Sequence, residues 1–475
     1  MIVRVDALDA FVTLEKESLC LPVPRIGAYV EQLPGRKTWL PWKLGPSALW
    51  TAPFHAIFPV MTLSEVLKQR GYVHQHSSET LEEITDVKKR TVYLGIDPSA
   101  DSLHVGNLVG LLVLRRFLEH GNNVVILTGG GTGMIGDPGG KGEERNLLDA
   151  KSVAKNTKAV AKQIKQIFGT GDFLAVNNAD WLTRLRLLEF LRDVGKYFTI
   201  NSMIKKDIVK NRLDAESPIS FTEFSYSLLQ AYDYLHLNEA YGVDVQVGGS
   251  DQWSNILAGV EFIRRKSEKE VYALTWPLIV NKATGKKFGK SEQGAIWLDP
   301  KKTSPYAFYQ FFLNVEDDAV EELLLKLTIL DYHEVESIVA AHKADPTART
   351  AQKELARAVT ALVHGEETAG NAENVSAVLF GEKSLAEVSD DARELLAKEA
   401  PSAGIKLGLP VVDALVAAGL ASSKREARQF IEDGAISISG ASVTDIAATL
   451  EESYFQNGIA LLKRGKRNTT VLILE

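Results

Sequence analysis

Between Thr91 and Leu127 the chain passes through an apolar strand, a tight turn, an apolar-periodic helix and a second apolar run, and no other stretch constrains the fold as much. Thr91 to Ile96 reads as a strand, and Asp97-Pro98-Ser99 ends it. After Leu103-His104-Val105-Gly106-Asn107 a helical period continues to about His120, and Asn123 to Leu127 is apolar again. Strands alternating with helices build parallel α/β sheets. The start of such a helix has unpaired N–H groups and a positive dipole end, both of which favour phosphate oxygens, and Gly106 would let a ligand approach the backbone. His104 and Asn107 add two side-chain donors. Alone, the same tetrapeptide also suits an ordinary capped helix.

Further polar constellations follow. From Tyr226 to Asp233 the chain reads Tyr-Ser-Leu-Leu-Gln-Ala-Tyr-Asp, and helical steps of four and three put Tyr226, Gln230 and Asp233 on one face. The apolar alternation Val243 to Val247 runs into Gly248-Gly249-Ser250-Asp251-Gln252-Trp253, where glycines at a strand end sit beside an acceptor and an amide. Lys286-Lys287-Phe288-Gly289-Lys290-Ser291 is a cationic loop after Thr284-Gly285. Gly131-Thr132-Gly133-Met134-Ile135-Gly136 matches a dinucleotide fingerprint by spelling, but Asp137-Pro138 breaks the helix that such a fingerprint must open. Gly140-Lys141 fails as a P-loop, while Lys141 and Arg145 could fold over a polyphosphate or form a solvated charged loop.

Composition limits the alternatives. At 475 residues the chain exceeds the size of one growing core, so two or three domains are expected. Its 45% hydrophobic and 24% charged residues are globular values, and no apolar run of about 18 or more residues suggests a membrane span. The lone Cys20 makes no internal disulfide and no multi-cysteine metal site, which fits a reducing cytoplasm. A net charge of −7 opposes indiscriminate nucleic-acid coating and leaves room for a local basic groove. Residues 1–60 are dense in proline and tryptophan, lack targeting features, and read as an atypical extension, disordered or not translated, with the organised protein starting at Met61.

Order and spacing join these pieces. His104-Val105-Gly106-Asn107 resembles the HIGH motif of class I aminoacyl-tRNA synthetases, and Lys287-Phe288-Gly289-Lys290-Ser291 resembles their KMSKS loop in its KFGKS form. Together with Tyr93-Leu94-Gly95-Ile96-Asp97, Gly136-Asp137-Pro138, Tyr226-x-x-x-Gln230-x-x-Asp233 and Gly249-Ser250-Asp251-Gln252-Trp253, the pattern resembles the bacterial-type tyrosyl-tRNA synthetases from about Met61 to the C-terminus. The resemblance implies that Tyr93 and Asp233 bond a substrate phenol, that Tyr226, Asp137 and Gln230 receive its ammonium group, and that Gln252 holds its carboxylate side. It places ribose at Asp251 and Gly249, and ATP phosphates at Ser99, His104, Gly106 and Asn107. Lys287, Lys290 and Ser291, with Lys141 and Arg145, would meet the pyrophosphate. Asn107 replaces the second His of the HIGH form, Ser99 stands where Thr is common, and Gly139-Gly140-Lys141-Gly142 is a looser form of the family's loop. A site that bonds a hydroxyl rejects the analogue lacking it, and tyrosine-specific synthetases are themselves the known example, so no editing domain is expected.

The implied fold is α/β: a Rossmann-like parallel-sheet catalytic domain over residues 61–300 with an inserted helical region, then an α-helical anticodon-binding domain over 301–395. Glu321 to Leu330, Tyr332 to Lys343 and Arg349 to Val363 supply its amphipathic helices. Residues 396–408, with Pro401-Ser402-Ala403-Gly404, read as a linker into a small α+β domain at 409–475. That domain resembles the S4 RNA-binding module, with Lys424, Arg425 and Arg428 as RNA-binding candidates beside Lys463, Arg464, Lys466 and Arg467. The implied partners are tRNA(Tyr), L-tyrosine and ATP, with Mg²⁺ carried by ATP, no protein-bound metal, no membrane, and a homodimer. A tryptophanyl-tRNA synthetase, a nicotinamide oxidoreductase resting on Gly131 to Gly136, and an RNA-binding or splicing scaffold of synthetase ancestry remain as alternatives.

Overall fold

The computed structural model describes residues 61–138, 148–169, 171–280, 285, 287–291, 294–465 and 468–475, with backbone alone at 207, 208, 290 and 291. The expected extension at 1–60, together with Lys141, Arg145, Lys466 and Arg467, lies outside the described residues. The first described helix, α1 (Leu63–Gln69), starts where Met61-Thr62-Leu63-Ser64-Glu65 spells a capping box: the Glu65 N–H donates to Thr62 Oγ1, and the Thr62 N–H to the Glu65 carboxylate.

A six-stranded sheet follows: β1 (Gln75–His76), β2 (Thr91–Ile96), β3 (Asn123–Thr128), β4 (Leu174–Asn177), β5 (Val245–Gly249) and β6 (Tyr272–Trp276), in the order β1-β6-β5-β2-β3-β4. Its pairs are parallel except β1 with β6. Helix α2 (Leu81–Thr85) precedes β2, α3 (Val105–Glu119) crosses to β3, and α4 (Ala150–Phe168) crosses to β4. The inserted helical region is α5 (Ala179–Leu182), α6 (Leu187–Asp193), α7 (Ile200–Met203) and α8 (Asp207–Asp214), after which α9 (Phe221–Tyr241) leads to β5 and α10 (Trp253–Ser267) to β6. From β2 the chain winds outward to β4, then returns to place β5 on the opposite side of β2 and winds the other way. The carboxyl ends of β2 and β5 therefore flank a topological switch point, where open α/β sheets bind their ligands. The near-continuous apolar runs of β3 and β6 fit strands covered on both faces.

After a short hairpin of β7 (Lys290–Ser291) and β8 (Gly294–Ala295) the chain turns helical: α11 (Pro305–Leu313), α12 (Asp317–Leu327), α13 (Tyr332–Ala344), α14 (Thr350–His364), α15 (Glu366–Phe380) and α16 (Asp390–Glu399). Helix α12 starts four residues earlier than its apolar period suggests, because Asp317 and Asp318 favour a helix N-terminus. Arg70 donates to the carbonyls of Leu325, Thr328 and Leu330, and the Tyr72 hydroxyl to that of Lys326, so side chains from the segment after α1 cap the end of α12.

The C-terminal sheet, of β9 (Ser402–Ile405), β10 (Ile436–Ile438), β11 (Ala441–Val443), β12 (Ile459–Arg464) and β13 (Asn468–Leu474), has the order β11-β10-β12-β13-β9. Helices α17 (Val411–Ala417) and α18 (Lys424–Glu432) cover one face, and Val375, Val378 and Leu396 of α15 and α16 pack on Ile459, Leu461 and Val471 at the other. The linker expected at 396–408 needs correction. Residues to Glu399 finish α16, and Ser402–Ile405 is a strand paired in parallel with Val471–Leu474. Ser, Ala and Gly give it no strand signature; only the distant partner makes it one.

Candidate active site

The switch point opens into a cavity of about 750 Å³ lined by residues from β2, α3, α9, β5 and the segment after β6. Helix α9 delivers its polar face into it as the spacing requires: Tyr226, Gln230 and Asp233 all line the cavity, with Tyr93, Asp137 and Gln252.

At the closed end Asp233 is 1% exposed. Its two carboxylate oxygens accept from Asn178 Nδ2 at 2.8 Å and Trp181 Nε1 at 2.7 Å. Burial raises its carboxyl to about 7 despite those donors, which act in the opposite direction. Tyr93 is fully buried, with its ring centroid 5.2 Å from that of Tyr234, and its hydroxyl has no hydrogen-bond partner among the described residues. Burial first, and the neighbouring Asp233 charge second, push the Tyr93 phenol well above its ordinary value, so it stays protonated. A buried donor without a partner is costly unless a ligand satisfies it.

Further polar contacts surround Asp97 and Asp137. The Tyr226 hydroxyl donates to Asp97 Oδ2 at 2.9 Å, and Thr132 Oγ1 donates to the other Asp97 oxygen at 2.7 Å. Gln252 Nε2 donates to Asp137 Oδ2 at 2.7 Å. Gln230 Oε1 and Gln246 Oε1 are buried acceptors without a hydrogen-bond donor among the described residues. The sequence reading assigned no role to Asp97, Thr132, Asn178, Trp181 or Gln246. Lys206, too, has a buried Nζ without a hydrogen bond among the described residues, lowered to about 8 by burial against the opposing pull of Asp137.

The open end is built around α3. His104 caps the helix, and its backbone N–H donates to Asn107 Oδ1 at 3.0 Å, which leaves the Asn107 NH₂ as a side-chain donor at the helix start. The Val105 N–H donates to the Ile296 carbonyl and the Asn107 N–H to that of His104, so two of the first three helical donors are already used inside the protein. A side chain on Gly106 would meet the His104 ring at 2.8 Å, and one on Gly289, whose φ is +85°, would meet the Gly106 nitrogen at 3.3 Å. Glycine thus lets the cationic loop lie directly on the helix start. The loop is further held by the Phe288 N–H to the Ile279 carbonyl at 2.9 Å, and by the Phe288 ring against Phe311 and Phe312 of α11, with centroids at 5.2 and 6.2 Å. Lys287 reaches Asp251 at 2.9 Å. Ser99 and Gly249 also line the cavity. For Lys290 and Ser291 only the β7 backbone is described.

A family model described as tRNA synthetases class I (W and Y) matches residues 85–381, and one described as Tyrosine--tRNA ligase SYY-like C-terminal domain matches residues 391–472. A tyrosine–tRNA ligase of Roseiflexus castenholzii is 47% identical over 419 residues, covering 86% of this chain and 98% of its own. One of Limosilactobacillus fermentum is 42% identical, covering 86% and 99%. The chain belongs to the class I tyrosyl-tRNA synthetases. The crystal structure of a C-terminally truncated Aspergillus nidulans mitochondrial tyrosyl-tRNA synthetase superposes on 67% of this synthetase and 94% of its own chain, with a TM-score of 0.61 and 32% identity. These matches select tyrosine over the tryptophan alternative. The dinucleotide spelling at Gly131 to Gly136 becomes a single turn at Thr132–Met134 whose threonine serves Asp97.

In the C-terminal domain of this synthetase Arg425 and Arg428 are exposed on α18, and Lys424 pairs with Asp413 at 2.7 Å. Lys463 and Arg464 leave the basic patch for internal duties: Lys463 Nζ donates to the Val378 carbonyl at the end of α15, while Arg464 donates to the Leu420 carbonyl and covers the Phe430 ring.

Proposed function

We propose that the cavity joins L-tyrosine to ATP and that the product is carried to tRNA(Tyr), making the chain a tyrosine–tRNA ligase with the active-site roles that follow. The observation that carries this is the closed end: an Asp233 carboxylate already oriented by two donors, beside a Tyr93 hydroxyl without a partner. A phenol entering there donates to Asp233 and accepts from Tyr93. Phenylalanine would leave both unsatisfied, at the cost of a buried charge with one partner fewer. The substrate ammonium then falls among Tyr226, Gln230 and Asp137, and Gln252 holds the carboxylate side.

ATP, entering with Mg²⁺ as its own counter-ion, lies from Gly249 and Asp251 to Ser99, His104, Gly106 and Asn107. A tyrosine carboxylate oxygen attacks the α-phosphorus, the bond from that phosphorus to the α,β-bridging oxygen breaks, and pyrophosphate leaves with the electron pair. A ribose hydroxyl of the terminal adenosine of tRNA then takes the tyrosyl group and releases AMP. The protein has little covalent work to do, so rate comes from positioning and from cations placed where charge develops, the role of Lys287, Lys290 and Ser291 with Lys141 and Arg145.

Arg425, Arg428 and Lys424 of α18 are assigned to RNA phosphates. Exposed Leu187, Leu188, Ile200, Leu213 and Phe221, clustered in sequence around the inserted helices, support a homodimer. A cytoplasmic location accords with the single cysteine; among the described residues no helix is long and apolar enough to cross a membrane, and no His, Cys, Asp and Glu cluster could hold a metal ion. Amino-acid-dependent ATP–pyrophosphate exchange tests the reading. Exchange confined to tyrosine is the expected result, and exchange without tyrosine preference overturns it.

A further inference from the structure

Asp251 and Lys287 line the same cavity, and the Lys287 ammonium lies 2.9 Å from Asp251 Oδ2. On the site reading above, Asp251 is the acceptor for the nucleotide ribose and Lys287 serves the departing pyrophosphate, so one carboxylate is claimed by two partners in turn. We infer that Asp251 is the positioning residue of the signature-loop lysine: it holds Lys287 over the ribose site until the ribose hydroxyls displace the ammonium and release it toward the phosphates. The inference rests on the assignment of that cavity to ATP.

Three features make the exchange mechanical rather than incidental. The backbone of Lys287, Phe288 and Gly289 is tied to neighbouring segments, by the Lys287 bridge to Val280, by the Phe288 N–H to the Ile279 carbonyl, and by the Gly289 carbonyl accepting from the Ile296 N–H. Beyond these ties the four-carbon lysine stem can swing. The carboxylate is equally constrained: a side chain on Gly249 would meet Asp251 Oδ1 at 2.7 Å, so the missing side chain is what lets Asp251 fold back over the end of β5 and face the loop. Finally, the lysine is 44% exposed and the aspartate 27%, so solvent weakens the pair enough for a ligand to displace it. The consequence is a coupling in which binding of the correct sugar arms the cation, and the lysine is kept off the phosphate path when no nucleotide is bound.

Adenosine, which has the ribose and no phosphate, separates this role from an ordinary phosphate contact. Equilibrium dialysis with adenosine should show that Lys287→Met binds it about two- to fivefold more tightly than wild type, the range expected for freeing a carboxylate from a half-exposed ion pair. The same variant should lose pyrophosphate exchange. In an Asp251→Asn background, Lys287→Met should leave adenosine affinity unchanged, and 2′,3′-dideoxyadenosine should show no gain with Lys287→Met alone. Adenosine affinity that is equal or weaker in Lys287→Met, or a gain that persists with the dideoxy compound, overturns the inference. Failure of the wild type to exchange pyrophosphate with tyrosine would instead overturn the functional reading, and the adenosine comparison would stand apart from it.

Discussion

The two ends of the cavity are built on opposed principles. At the closed end the polar groups are buried and the carboxylates are already held by protein, Asp233 by Asn178 and Trp181 and Asp97 by Tyr226 and Thr132, while the Tyr93 hydroxyl is left for a ligand. At the open end the decisive groups sit on loops, and Lys287 is half exposed on an ion pair that a ligand can replace. Recognition requires desolvation completed before the substrate arrives, because an unpaired buried group then penalises the wrong ligand. On the proposed function, catalysis requires charge that arrives with the transition state, the role proposed for Lys287.

The largest break in this contrast should come from Asp233→Ala. Its kcat/KM ratio for tyrosine over phenylalanine in exchange assays should fall roughly 100-fold, about the worth of a buried hydrogen bond to a charged group. An unchanged ratio would remove the phenol assignment. Phe288→Ala acts at the other end: without its packing on Phe311 and Phe312 the loop loses its seat, and kcat for adenylate formation should fall about tenfold with the tyrosine dissociation constant unaltered, the signature of a transition-state loss. A matching rise in that dissociation constant would show the two ends to be coupled instead.

A smaller effect is set by pH. The Asp233 carboxyl is raised to about 7 by burial, so in the ligand-free protein it is ionised above that value and neutral below it. A phenol donates best to the ionised form. Tyrosine binding therefore releases a proton below neutrality, and the preference for tyrosine over phenylalanine should shrink several-fold from pH 8 to pH 6. For stability the sign is the reverse: the neutral form is the one burial tolerates, so the contribution of this group is full below the ordinary carboxylate range and is lost as pH rises through 7. Trp181→Phe removes one of the two donors to the carboxylate and should move the inflection upward; a profile that stays in place would detach Trp181 from Asp233. Asp233→Ala should have a flat profile.

The smallest effect on exchange is expected from removing residues 401–475, a cut that takes β9 with its sheet. Adenylate formation should change less than about twofold, because the cavity is untouched, while melting temperature falls as Val375, Val378 and Leu396 lose their cover. A large loss of exchange would mean that the helical domain transmits the damage along α11 to Phe288.

Legibility followed distance along the chain. His104 and Asn107 act within one turn of α3, and Tyr226, Gln230 and Asp233 share a face of α9, so their grouping could be read from helical spacing. Asn178 and Trp181 stand 55 and 52 residues from the carboxylate they orient, at the N-cap and within the short inserted helix α5, and nothing in their neighbours marks them. Strand β9 has the sequence of a linker for the same reason, since its partner β13 begins more than sixty residues later.

By itself the sequence determined the chemical inventory and its local order: strands and helices that wind an α/β sheet, a glycine-bearing helix start, a polar helix face, and a cationic loop of the KFGKS form. These depend on periodicity and on neighbours a few residues apart, where the backbone alone dictates who meets whom. Only the tertiary structure decided which carboxylate is buried and held, which hydroxyl lacks a partner, which basic residues are consumed inside the protein, and that Lys287 rests on Asp251. Those properties depend on desolvation and on contacts between distant segments, and neither is defined until the chain has closed around the site.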